Sequence, residues 1–236
     1  MARRARGRRR WRVLGALLLV AIIGGAAGWW HLHHWRPERK LFPMQGVEIG
    51  SEDAADGQPV DWKALKAIGA DFAYVDASAS AFARDPAFSR NLDDARAAGL
   101  QVGAVHRYDP CQPADRQSAN FVTVVPRDPK LLPPAVELVR LADDCPIKVT
   151  DAAVESELMT FLNQIETHTG KPSLLKVGPA FERRYHIAHA LDRNLWLMRN
   201  RFQPEYAHRP WSVWTANDQL QTTALDSPVR WLVVQP

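Results

Sequence analysis

Short apolar runs alternate with longer amphipathic stretches from residue 46 to the end of the chain. The runs predict strands over 46–50, 72–76, 101–107, 134–140, 173–177, 195–199, 211–215 and 229–234, separated by helix and turn signals. Asp61-Trp62-Lys63 opens a helix that stops at Gly69. Asp85 is placed to cap a second helix, with Pro86 at its first position and Gly99 at its end. Residues 114–125 form a third. Thr150 to Thr169 form the longest, closed by Gly170 ahead of Pro172, and 179–190 form a fifth. Strands alternating with helices imply a parallel sheet, and eight strands favour a closed barrel. The last two connections, about 200–210 and 216–228, carry no strong helix pattern. The expected fold is therefore α/β: an irregular (β/α)8 TIM-like barrel lacking outer helices near the C-terminus. An open doubly wound sheet is the competing arrangement, but no glycine-rich phosphate loop follows a strand.

The pattern before residue 46 is different. Residues 13–30 are uncharged and mostly apolar, and as a helix would reach about 27 Å, close to the hydrocarbon thickness of a bilayer. Residues 1–12 hold seven Arg and no acid, while Trp29, Trp30 and Trp35 lie at the far end. Positive charge stays on the cytoplasmic side and aromatics favour the interface. The chain thus divides into a basic cytoplasmic tail (1–12), a transmembrane signal anchor (13–30), a polar linker (31–45) with His31, His33 and His34, and a barrel (46–236). Ala26-Ala27-Gly28 leaves a cleaved signal peptide as the alternative.

Charge then loses its apparent meaning. The formal net charge of +4 comes from the tail; without it, 23 basic residues face 26 acidic ones. The globular part has no basic excess that would favour nucleic acid. Cys111 and Cys145 are the two cysteines, and an extracytoplasmic even pair reads as a disulfide, with two buried thiols as the alternative.

One strand carries the chemistry. In Leu132-Pro133-Pro134-Ala135-Val136-Glu137-Leu138-Val139-Arg140-Leu141 the prolines end what precedes, and Glu137 and Val139 should share a face. The segment resembles the Leu-Pro-Pro-x-x-Asp-x-Glu strand of glycoside hydrolase family 25, the lysozyme (N-acetylmuramidase) family. Val60-Asp61-Trp62-Lys63, Asp71-Phe72-Ala73-Tyr74-Val75, Ala98 to His106, Leu195-Trp196-Leu197 and Trp211-Ser212-Val213-Trp214 are similar to its scaffold segments. The resemblance covers roughly residues 45–236. It implies a barrel directed at peptidoglycan, on the periplasmic or outer side of a bacterial inner membrane. No cofactor is implied.

The family's chemistry-bearing positions differ. Its first strand reads Gly-x-Asp-x-Ser, against Gly46-Val47-Glu48-Ile49-Gly50 here. Its second ends in Lys-Ala-x-Glu, against Asp76-Ala77-Ser78-Ala79. The fourth strand's Asp and Glu are Glu137 and Val139, the fifth strand's Tyr is Lys176, and Val-Asp-x-Asn at the end is Val229-Arg230-Trp231-Leu232. Cleaving a glycosidic bond needs a proton donor to the leaving oxygen and a group that supports the sugar cation. Val139 has no proton to give, and general-acid catalysis is worth roughly 10²–10⁴-fold. Glu137, Glu48 and Asp76 are the catalytic candidates, with Asp76 the best relocated acid. All three should point into one cleft. His106, Tyr108, Lys176, Trp214 and Arg230 are the residues expected to contact substrate; Asp109 is a further mouth acid. Trp196 and Trp214 match scaffold positions, which favours core packing over sugar stacking. No ligand spacing argues for a metal among Glu48, Asp76, His106 and Glu137. Two functions follow: a glycan-binding or scaffold barrel that lost catalysis, which the residues favour, or an active divergent muramidase.

Overall fold

The computed structural model of the protein describes residues 2–54 and 57–236, with side chains from residue 14 onward in the first segment. Residues up to Trp35 form one unit and Arg36–Pro236 another. The first is a helix, α1 (Ala2–His34). Its Leu14–His34 portion has a mean hydropathy of 1.6, none of it buried, and is long and apolar enough to cross a membrane. A signal anchor and a signal peptide both have this form. The expected linker starts later than residue 31, because the helix runs through His34. The side chains of the basic tail, 1–12, lie outside the described residues.

In the second unit the strands are β1 (Gln45–Ile49), β2 (Phe72–Ala79), β3 (Ala83–Arg84), β4 (Gln101–Arg107), β5 (Ala135–Leu138), β6 (Leu174–Val177), β7 (Asn194–Met198), β8 (Val213–Leu220) and β9 (Val229–Val234). Their order is β1-β9-β8-β7-β6-β5-β4-β2-β3, and a parallel β1–β2 pairing closes the barrel through eight strands. The short β3 folds back on the end of β2, with Ser78 opposite Arg84. Seven barrel strands are parallel, as the alternating pattern requires. The last is not: β9 runs antiparallel to both β1 and β8. The connection from Leu220 to Val229 holds too few residues for a crossover helix, so the chain reverses directly.

The helices are α2 (Trp62–Ala67), α3 (Phe88–Ala97), α4 (Ala114–Val124), α5 (Asp151–Thr169), α6 (Pro179–Tyr185) and α7 (Ile187–Ala190). Asp61 caps α2 through Ala64 N, at 2.9 Å. Thr150 caps α5, and Gly170 ends it at φ 71. Asp85 does not cap α3 directly. Its carboxylate accepts from Ala87 N at 2.8 Å in a turn that delays the helix to Phe88. The expected helix over 179–190 breaks at His186, which adopts φ 52.

Alternation along the strands sorts the barrel interior into layers. Phe72, Tyr74, Val105, Ala135, Leu174, Trp196, Val213 and Leu232 form an apolar layer. Two glycines make room for it. A Cβ on Gly103 would stand 2.3 Å from the Tyr74 ring, and one on Gly46 2.6 Å from Phe72. Two residues nearer the mouth on six of the strands, the inward positions become Glu48, Asp76, Arg107, Glu137, Lys176 and Arg230.

Candidate active site

These charged positions lie at the C-terminal end of the parallel strands, with Arg230 at the start of the antiparallel β9, the barrel end where active sites form. Strand register makes them neighbours. Arg107 pairs with Glu137, Glu137 with Lys176, and Glu48 with Arg230. Lys176 Nζ lies 2.5 Å from Glu48 Oε1 and 2.7 Å from Glu137 Oε1. Arg230 Nε stands 3.1 Å from Glu48 Oε2, while its terminal nitrogens donate to both oxygens of Asp53, at 2.9 and 2.7 Å. Arg107 donates to Asp76 Oδ2 at 2.5 Å, lies 3.3 Å from Glu137 Oε2, and takes both oxygens of Glu52. Glu48, Asp76 and Glu137 thus share one network, as their strand positions imply.

The surroundings set the protonation. Burial raises the Glu48 carboxyl, but Lys176, Arg230 and Arg107 outweigh it and hold the group below the usual carboxylate range. Burial disfavours the Lys176 ammonium, yet Glu48 and Glu137 keep its pKa above the ordinary lysine value. Asp76 differs. Burial, and then the Glu48 charge, push it up to about 7 against the pull of Arg107 and Arg230. Its Oδ1 is buried without a hydrogen-bond partner. Asp76 lines a pocket of about 160 Å³ that also involves Ser51, Glu52, Asp85 and Arg107.

Val139 lies just past the end of β5, 47% exposed at the mouth, with its Cγ1 2.8 Å from where a Cβ on Gly178 would stand, two residues beyond Lys176 on the neighbouring strand. The strand is shorter than the apolar run: past its end, Arg140 pairs at 2.8 Å with Asp109 of the loop after β4. Asp109 also accepts from Ser80 and Cys111, which makes it part of the loop's framework.

Three expected substrate contacts are placed elsewhere. His106 is fully buried, bonded through Nδ1 to Ser78 Oγ at 2.8 Å and packed on Phe161 and Phe121. Burial lowers its pKa to about 4. A bulge in β2 between Asp76 and Ser78 supports this outward pairing. Tyr108 is buried against Phe161. Trp214 is buried against Trp211 and Phe42, its Nε1 donating to Arg199 O at 2.7 Å. A ring with no exposed face offers a sugar nothing to stack on. Trp196 belongs to the interior layer and Trp231 Nε1 donates to Gln45.

Arg107, Glu52 and Asp53 were not expected in the site. Period-two alternation from Val105 points Arg107 inward, a signal the neighbouring His106 obscured. Glu52 and Asp53 sit in a short helical turn, Ser51–Asp53, whose entry into the mouth no local pattern reveals. Cys111 and Cys145 are bonded, with Cα atoms 5.2 Å apart, joining the loops after β4 and β5.

The model of glycosyl hydrolases family 25 matches residues 53–224, most of the barrel but neither β1 nor β9. A family 25 glycosyl hydrolase from Bacillus anthracis shares 24% identity with this chain and a TM-score of 0.75, covering 87% of this chain and 94% of that one. A lysozyme from Streptomyces coelicolor follows at 16% identity and TM-score 0.71, covering 82% and 92%. The uncharacterized Escherichia coli protein YegX is 23% identical over 211 residues, 84% of this chain and 75% of its own length. With the family model matched over residues 53–224, well over half of the sequence, the chain belongs to glycosyl hydrolase family 25.

Proposed function

We propose that this domain engages cell-wall peptidoglycan or a related glycan and holds it without cleaving it at the rate of a muramidase. We place it outside the cytoplasm, retained by the apolar N-terminal helix. The observation that carries the reading is the commitment of the mouth carboxylates to Arg107, Lys176 and Arg230. Lys176, Arg230 and Arg107 hold Glu48 below the usual carboxylate range, so it stays ionised and has no proton to donate. The exposed isopropyl group of Val139 supplies none either. The test is digestion of purified peptidoglycan by the full chain in detergent, read as new muramic reducing ends, beside a sedimentation assay for binding. Binding without reducing ends is the expected result. Efficient release of muropeptides would sink the reading. Reverting Val139→Glu alone should restore little, because groups that act as a unit are not additive. Combining it with Glu48→Asp, Glu137→Asp and Arg230→Asp has more to restore.

Asp76 supports a second reading. A buried carboxyl with a pKa of about 7, lining a pocket, has the properties of a general acid. If the wild-type chain cleaves and Asp76→Asn does not, the domain is an enzyme with a relocated acid.

A further inference from the structure

The pocket beside Asp76 is off the barrel axis, walled by the Ser51–Asp53 turn, the end of β2 and the β2–β3 hairpin. Its charged lining is Glu52, Asp76 and Asp85 against Arg84 and Arg107. Arg107 is paired with carboxylates, whereas Arg84 is held by a neutral amide and keeps its charge. Arg107 is shared among Glu52, Asp76 and Glu137, and Arg84 Nε donates to Asn120 Oδ1 at 3.0 Å. Asp85 is held by Ser51 N at 2.6 Å and Ala87 N, contacts that fix its place without cancelling its charge. Across the mouth and this pocket, six carboxylates (Glu48, Glu52, Asp53, Asp76, Asp85 and Glu137) face four cations (Arg84, Arg107, Lys176 and Arg230). The surplus converges on Asp76, which is 5% exposed and has an oxygen without a donor. A buried acceptor left unmatched is costly, and more so when charged. Nor is the gap filled from the opposite side. A Cβ on Gly50 would stand 2.3 Å from Asp76 Oδ2, so only the missing side chain at that position lets the carboxylate sit there.

We infer that this pocket is a subsite for a primary ammonium group carried by the bound glycan, seated against the Asp76 carboxyl that lines it and offsetting the local excess of carboxylates. This rests on the glycan-binding reading above and specifies what part of the ligand is selected. An anion is excluded by the same charges, and an acetylated amine would bring a neutral donor that leaves the excess in place. A small pocket fits an amine on a short stem better than a whole sugar ring. Two parts of a cell-wall polymer present such an amine: a sugar lacking its N-acetyl group, and a free side-chain amine of the peptide stem.

Calorimetric titration of the full chain in detergent distinguishes them. One pair of probes is a β-1,4-glucosamine tetramer and its fully N-acetylated counterpart. The other is a muropeptide with a free stem amine and the same compound acetylated on that amine. The expected result is at least tenfold tighter binding of the amine-bearing member in one pair, which identifies the source. Asp76→Asn should erase that preference, and Glu52→Gln should reduce it. Equal binding within both pairs overturns the subsite while leaving glycan binding intact, as does a preference that survives Asp76→Asn. Failure of all four probes and of peptidoglycan to bind overturns both readings.

Discussion

Asp76 concentrates the tension of the mouth in one residue. Burial and Glu48 lift its carboxyl to about 7, from an ordinary value near 4. Between those values the folded chain holds a proton that the unfolded chain releases. Stability contributed by this group is therefore full at low pH and is lost as pH rises toward 7. Asp76→Asn removes the titration and can still accept from Arg107. It should stabilise the barrel at pH 8 by about 1–3 kcal/mol and have little effect at pH 4, by urea unfolding at the two pH values. A variant less stable than wild type at pH 8 would show that the carboxylate is better satisfied than its unpartnered oxygen suggests. His106 has the opposite arrangement. Its pKa is depressed to about 4, and its neutral ring is bonded between Ser78 and Gln117. The sequence placed this histidine at the correct strand end, but a strand end has two faces. Only packing against Phe121 and Phe161 decides that its face is outward.

At the scale of elements, strand alternation explains how an apolar floor and a charged mouth come from the same strands. On β2 the inward residues are Phe72, Tyr74 and Asp76; on β6 they are Leu174 and Lys176. Glycine on the adjoining strands sets the room for the large rings. Gly103→Ala would drive a methyl into Tyr74, whose hydroxyl donates to Pro133 O at 3.1 Å. Overpacking of this kind costs about 1–3 kcal/mol, and the urea midpoint should fall accordingly. An unchanged midpoint would mean that Tyr74 moves freely, and the floor is looser than its burial implies. The end of β5 shows where local pattern fails. The apolar run continues through Val139, but the pairing stops at Leu138, and two residues on Arg140 pairs with Asp109 of the loop after β4.

For the whole barrel, closure depends on β9 entering between β1 and β8. This brings Arg230 onto Glu48 and onto Asp53, which lies 177 residues away in sequence. The Cys111–Cys145 bond adds a second long-range constraint, spanning 34 residues. Replacing both cysteines with serine should cost roughly 3–4 kcal/mol in the chain-entropy account of cross-links. A thermal melt of the double variant matching wild type would place the stabilisation elsewhere.

The strand and helix pattern determined the barrel by itself, since period-two and helical stretches alternate from residue 46 onward and helix ends are marked by Asp61, Thr150 and Gly170. The family was legible for the same reason: its scaffold segments are local and apolar. The site was legible only in part. Glu48, Asp76, Glu137, Lys176 and Arg230 could be named because they sit in short strands at positions matching the family's chemistry-bearing ones, but their pairing could not. Arg107, Glu52 and Asp53 needed the assembled mouth, and so did the exclusion of His106, Tyr108 and Trp214. The direction of the last strand also waited on the fold. A side chain's strand position is a local property. Which charge neutralises it, and which face is buried, depend on residues brought near only when the barrel closes.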